Sequence, residues 1–301
     1  MGGRWREDHM IGKLADEYVA DRSRVGRMAP ATARSVQRRL WHFAREIGAK
    51  APDQVRTRDV ERWVHDPSLA PLTRKLRLTT LRPFWRWLLA KRHATKDPTL
   101  EVDPPKVPPL APRALPLDEA RQLVLATTDD RMRLVALLML QEGLRCCEVA
   151  RAELSDVDLA RGTIGVRGKG GQGGITRHLP LSGETAAALR SYLAERGRVG
   201  GPLIASRRDY LARVSAHHVS KMMRRAMVDA GVKHAAGDGR SAHACRHTAL
   251  TDMVDQGAGL LEVQQAAGHA DVNTTRRWYL RGVTPDLRVA MAGRAYCRVH
   301  S

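Results

Sequence analysis

Four separated segments of the 301-residue sequence hold side chains able to do polar chemistry. The first is Gly143-Leu144-Arg145-Cys146-Cys147-Glu148. The second is Lys169, inside the run Gly168-Lys169-Gly170-Gly171-Gln172-Gly173-Gly174. The third is His243-Ala244-Cys245-Arg246-His247. The fourth is Gly268-His269, followed ten residues later by Tyr279. Taken alone, each has an ordinary structural use. An Arg three residues before a Glu is usually a helical surface pair. A Lys in a glycine-rich turn is usually a solvated loop tip. His-x-x-Arg-His serves equally as satisfied core histidines or a metal fragment. The charge of the whole chain narrows the choice. Lys and Arg total 51 against 32 Asp and Glu, a formal net charge of +19, spread over both halves. A surplus this large favours a polyanion such as nucleic acid. Arg far outnumbers Lys, which suits bidentate phosphate contacts and also suits a GC-rich genome.

Together and in this order, the four segments resemble the tyrosine recombinase family, the phage integrases and bacterial Xer-type recombinases. The resemblance runs over about residues 114–290. It includes flanking residues: Glu148-Val149 after the Arg, Ser155-Asp156-Val157 before the glycine-rich turn, and Arg177-His178-Leu179-Pro180-Leu181 after it. It also includes Gly268-His269-Ala270-Asp271 with Thr274-Thr275.

The chemistry of that family explains such an assembly. Breaking a DNA phosphodiester with a side-chain hydroxyl is phosphoryl transfer, and its transition state concentrates negative charge on the non-bridging oxygens. Fixed cationic donors in a water-poor site stabilise that charge. The resemblance makes Arg145 and Arg246 the clamp, each always charged and able to grip two oxygens. It makes Lys169 the acid that protonates the leaving 5′ oxygen. His243 becomes the base or proton carrier beside the nucleophile, and His269 a donor to the phosphate. Glu148 becomes a buried orienting partner, and His247 a structural residue. Tyr279 becomes the nucleophile that joins covalently to the 3′ phosphate. The bond energy is conserved in that link, so the expected reaction uses no ATP, and with cationic side chains supplying the electrostatics it is expected to use no metal and no cofactor.

One spacing departs from the family pattern. The nucleophile is expected nine residues after the histidine of the Gly-His pair. That position here is Trp278, and Tyr279 stands one further on; Tyr296 is the later alternative. Three other functions stay open: a type IB topoisomerase, a DNA-binding protein with a dead active site, and a helix-turn-helix regulator without chemistry. The cysteines beside the arginines, Cys146, Cys147 and Cys245, invite a redox or metal reading, against which stands simple packing as small apolar side chains.

These residues need a scaffold, and the sequence outlines one. Residues 8–21 place Ile11, Leu14 and Tyr18 on one helical face, and 31–47 place Val36, Leu40, Phe43 and Ile47 on another. Thr57 is expected to cap a short helix carrying Val60, Trp63 and Val64. Residues 72–92 form a longer helix through Leu78, Leu81, Trp85, Leu88 and Leu89. The aromatics here are expected to pack a core rather than stack on bases. Between Asp97 and Pro116 stand Pro98, Pro104, Pro105, Pro108, Pro109 and Pro112, a stretch expected to be extended and rather stiff. Helices are expected at 117–127 and 131–142. A β-hairpin follows, with strands around Thr163–Val166 and Ile175–Leu181 and the glycine-rich turn between them. Further helices are expected at 183–196, 216–230, 243–256 and 260–267. The fold class is therefore mainly α with a small β-hairpin or sheet. Residues 1–97 form a four-helix domain matching the family's core-DNA-binding domain, 98–113 a linker, and 114–301 a mixed α/β catalytic domain.

Four cysteines without paired spacing make neither a secreted disulfide scaffold nor a zinc site. No signal-like segment and no membrane-length apolar run stands out, and a cytoplasmic protein is expected. The expected partner is double-stranded DNA at attachment sites, bound by a homotetramer across two duplexes, with accessory DNA-bending or directionality proteins. No arm-site domain is expected before the first helix. A short recombinase of phage, plasmid or transposon origin is expected, whose residues 285–301 dock on a neighbouring subunit.

Overall fold

A computed structural model describes residues 9–108, 114–168, 175–197, 200–209, 211–235 and 237–268. The chain divides into two compact units, Met1–Ala111 and Pro112–Ser301. No helix among the described residues is long and apolar enough to cross a membrane.

The first unit contains helices α1 (Met10–Arg24), α2 (Pro30–Ile47), α3 (Thr57–Val64) and α4 (Pro71–Ala90). Pro30 and Pro71 open their helices, where the missing N–H would be unpaired anyway and the fixed φ is already helical. The core is aromatic. Phe43, Phe84 and Trp85 are completely buried and meet edge to face, with Trp85 centred 5.9 Å from Phe43 and 5.7 Å from Phe84. Three indoles at the margin send their N–H to a polar group: Trp41 to Asp16 (2.8 Å), Trp63 to His42 Nδ1 (3.0 Å) and Trp87 to Asp21 (3.0 Å). Gly12 on α1 lets the Trp41 ring approach so closely that an added Cβ would stand 2.5 Å from it. The expected cap at Thr57 is corrected: Arg56 is the N-cap residue and Thr57 is the first residue of α3. The orphan N–H of Arg56 is satisfied by Asp59 Oδ2 at 3.0 Å instead. The proline-rich stretch also begins later than expected. Thr99 and Val102 are buried in this unit, Asp97 accepts from the Thr99 N–H and hydroxyl, and Arg82 donates to the Val102 carbonyl.

In the second unit, α5 (Leu117–Leu125) and α6 (Asp130–Leu140) come first, then a short α7 (Cys146–Arg151). A three-stranded antiparallel sheet follows, β1 (Val157–Asp158), β2 (Thr163–Arg167) and β3 (Ile175–Pro180), in the order β1-β2-β3. Helices α8 (Gly183–Arg196), α9 (Ala216–Asp229), α10 (Ala242–Asp255) and α11 (Leu260–Ala267) complete it. The run Leu134–Leu140 of α6 is buried on every side, so α6 is the core helix of this unit. Asp129 caps it by accepting from the Met132 N–H. In the sheet, Ile164 pairs with Leu179 and Val166 with Arg177. The foot of the hairpin is held by Asp156, which takes two hydrogen bonds from Arg167 (2.6 and 2.8 Å) and one from the Glu153 N–H.

Candidate active site

The chain leaves α6 through a turn that only glycine makes easily. Gly143 has φ +67°, in the left-handed region, and the Leu144 N–H reaches back to the Leu138 carbonyl. This turn delivers Arg145 to the position just before α7. Glu148, in the first turn of α7, accepts from the Arg145 backbone N–H at 2.8 Å and so closes an otherwise open helix start.

Glu148 is also the centre of a cluster of guanidinium groups. Its side chain is 1 % exposed. Arg145 Nη1 donates to Oε1 at 2.7 Å. Arg177, on β3, grips both oxygens, at 3.2 and 3.1 Å. Arg246, on α10, stands 3.8 Å from Oε2 and is itself 1 % exposed. Arg246 is held by two carbonyls, Gly143 after α6 and Ala267 at the end of α11. Arg177 donates in the same way to the Ala266 carbonyl at 3.0 Å. Three cations thus share one carboxylate, and the surplus is positive. The Arg145 side chain, 30 % exposed, is the most open of the three.

The electrostatics follow from this crowding. Burial pushes the Glu148 carboxyl towards neutrality, but the hydrogen bonds from Arg177 and the Arg145 N–H, with the charges of both arginines, outweigh it and hold its pKa below the usual value. Burial, together with the like charge of Arg145, pushes Arg246 down to about 9, so it stays cationic at neutral pH. A buried charge of this kind persists only where it is paired and hydrogen-bonded, as here.

His243 is exposed in the first turn of α10, and its ring packs edge to face on buried His247 at 4.3 Å. Cys245 is fully buried between them in sequence, and burial pushes its thiol up to about 12; Cys146 rises to about 11 for the same reason. Neutral, enclosed thiols are packing residues rather than nucleophiles. Among the described residues, no group of three His, Cys, Asp or Glu side chains is placed to hold a metal ion.

Lys169, His269 and Tyr279, with Trp278 and Tyr296, lie outside the described residues. Their described neighbours are well anchored. Gly168, just before Lys169, has its carbonyl held by Arg151 at 3.1 Å. Gly268, just before His269, ends α11 in the left-handed conformation (φ +56°), and a Cβ there would stand 2.7 Å from Arg177 Nη1. That approach explains a glycine at this step of the Gly-His pair.

Arg177 is the participant that the sequence reading left without a role. It stands in the run Arg177–Leu181 after the glycine-rich turn, and strand alternation places it on the face of Leu179, which is 6 % exposed, while His178 faces out. A charged residue on an inward position was the available signal. Beside the cluster opens a cleft of about 1010 Å³, lined among others by Glu142, Arg145, Glu148, Arg177, His178 and Gly268. A cleft whose wall is a fixed, surplus-positive guanidinium cluster can bind a phosphodiester and stabilise charge developing on it.

Comparison with known proteins bears on the family and the fold. The model of the phage integrase family matches residues 113–283. The chain is 30% identical over 269 residues to the tyrosine recombinase XerC of Pelobacter propionicus, covering 83% of this chain and 85% of that one. It is 30% identical over 293 residues to tyrosine recombinase XerC 2 of Ralstonia nicotianae, covering 90% and 80%. The fold is similar to that of a lambda integrase dimer bound to a COC′ core site, with a TM-score of 0.74 at 18% identity over 99% of this chain and 82% of that one.

Proposed function

The chain belongs to the phage integrase family as a tyrosine-type site-specific recombinase, and we propose that it cuts and rejoins double-stranded DNA at attachment sites through Tyr279. The observation that carries this reading is the guanidinium cluster around Glu148, which brings Arg145 and Arg246 from distant segments to one carboxylate on the wall of the cleft. In the proposed step the Tyr279 oxygen attacks phosphorus, and the P–O5′ bond breaks. A 3′-phosphotyrosyl link forms and a 5′ hydroxyl leaves. His243 takes the phenol proton, Lys169 protonates the leaving oxygen, and His269 donates to a non-bridging oxygen. Arg145 and Arg246 stabilise the charge on the phosphate. Attack by the 5′ hydroxyl of a second strand reverses the chemistry onto a new partner. That partner exchange is the reaction of recombinases, and the kinship with XerC proteins favours it over the simple relaxation of a topoisomerase.

The first unit is the core-DNA-binding domain in this reading, and the second the catalytic domain. Four copies act across two duplexes in the cytoplasm, with accessory DNA-bending or directionality proteins. Phosphate contacts make binding fall steeply with salt.

Covalent trapping tests the reading. The protein is incubated with a nicked duplex carrying the attachment site next to its own gene, and run on a denaturing gel beside Tyr279→Phe and Tyr296→Phe. A shifted band lost only in Tyr279→Phe is expected. Loss only in Tyr296→Phe would move the nucleophile. No band from any variant, with specific binding intact, would leave a DNA-binding protein without chemistry.

A further inference from the structure

Arg145 stands between two buried glutamates, Glu142 three residues before it and Glu148 three residues after. Glu148 belongs to the cation cluster described above. Glu142 is as deeply enclosed, 3 % exposed, yet the side chains that bind it are neutral. One carboxylate oxygen accepts from the Ser182 backbone N–H at 2.9 Å, and the other from the Thr185 hydroxyl at 3.0 Å. Ser182 is the N-cap of α8 and lies two residues beyond the end of β3. Gln141 docks on the same place, accepting from the Ser182 hydroxyl and donating to Glu184 at 2.7 Å.

We propose that Glu142 is a positioning residue for strand cleavage, whose carboxylate fastens the turn bearing Arg145 to the start of α8 and so keeps Arg145 in register with Arg177 on β3. The inference rests on the recombinase reading given above. The geometry supplies two ties between the same two segments. Glu148 to Arg177 is ionic, and Glu142 to Ser182 and Thr185 is made of neutral donors at a helix N-terminus, which favours a negative charge. A carboxylate satisfies both donors at once. A carboxylic acid has to turn one oxygen into a donor, and the Thr185 hydroxyl then has to reverse.

Burial pushes the Glu142 carboxyl up to about 7, against the lowering effect of those hydrogen bonds. The tie therefore changes strength near neutrality. The charged and titratable groups around it are Arg145 and Glu148 on the turn and α7, Arg177 and His178 on β3, Glu184 on α8 and Glu262 on α11. Among the described residues, Glu142 accepts from the Ser182 N–H and the Thr185 hydroxyl rather than from any of these.

The test is single-turnover cleavage of a nicked attachment-site duplex from pH 6 to 8.5, with wild type, Glu142→Gln and Thr185→Val, and DNA binding measured in parallel. The wild-type rate is expected to rise through about pH 7. Glu142→Gln keeps an acceptor for Ser182 but carries no charge. It should lose that rise, falling on the order of tenfold below wild type at pH 8 and meeting it at pH 6, with DNA binding unchanged. Thr185→Val should weaken the same rise, and it carries the test if Glu142→Gln does not fold. Superimposed profiles for wild type and both variants would overturn the proposal. So would a loss of equal size at every pH, which marks a residue that merely supports the fold. Absence of covalent product from wild type at every pH would instead overturn the recombinase reading itself.

Discussion

Both units bury some charge, Asp59 and Arg77 in the first, but they differ in what is gathered inside each. The first packs Phe43, Phe84 and Trp85 against one another and keeps the polar ends of Trp41, Trp63 and Trp87 at the margin. The second buries Glu148 and Arg246 beside its apolar α6 core. An aromatic core stabilises by area, about 25 cal/mol per Å² of apolar surface, and weakens by degrees as surface is lost. A buried ionic cluster has no such gradation: removing one partner strands the rest in a dry interior. The first unit thus rests on graded apolar burial, while the second keeps an electrostatically expensive arrangement at the wall of the cleft.

Four substitutions probe this contrast, from the largest effect to the smallest. Glu148→Ala leaves Arg246 and Arg177 without their carboxylate. It should lower stability by about 3 to 5 kcal/mol and abolish the covalent product. Denaturant melts followed by far-ultraviolet circular dichroism read the stability; a loss below about 1 kcal/mol would mean that the cluster is solvated. Trp85→Ala should lower stability by about 3 to 5 kcal/mol through its cavity. Fluorescence reads this best, because Trp41, Trp63 and Trp87 all lie in the same unit. Glu142→Gln should act in the opposite sense. The folded carboxyl sits at about 7 against an ordinary 4.5, so the folded state holds its proton more tightly than the unfolded chain does. Stability therefore falls as pH rises from about 4.5 to about 7 and stays low above it. The variant should escape that fall, melting higher than wild type at pH 8 by up to about 3 kcal/mol and showing little difference near pH 4. Equal melting at pH 8 would contradict the assigned burial. Gly12→Ala drives a methyl group into the Trp41 ring and should cost about 1 to 3 kcal/mol in the fluorescence melt.

Much of this was legible in the sequence, for identifiable reasons. Helices α1 to α6 and α8 to α11 run for two turns or more, long enough for apolar spacing to show. Helix α7 has six residues and β1 two, so neither carries a period, and both were passed over. Their structure is set by single hydrogen-bonded ties, Glu148 to the Arg145 N–H at the helix start and Val157 to Ile164 across the strands. Thr99 and Val102 were read as part of a linker because prolines surround them, yet they pack into the first unit. The gathering of Arg145 and Glu148 with Arg246 was reachable only through likeness to a family, since no local rule links residues a hundred positions apart. The likeness left Arg177 without a role and did not mention Glu142, because their work depends on which segments touch.

The carbonyls that hold the clamp carry a consequence for the order of events in synthesis. Arg246 reaches back 103 residues to Gly143 and forward 21 to Ala267, and Arg177 reaches 89 residues to Ala266. Contacts of such long range close late in folding, after local helices have formed. A nascent chain still lacking α11 has neither the Ala266 nor the Ala267 carbonyl, and holds Arg177 only through Glu148 and Arg246 only through Gly143 and Glu148. The last two carbonyls that hold the cluster thus arrive with α11, after every guanidinium group they bind has been made.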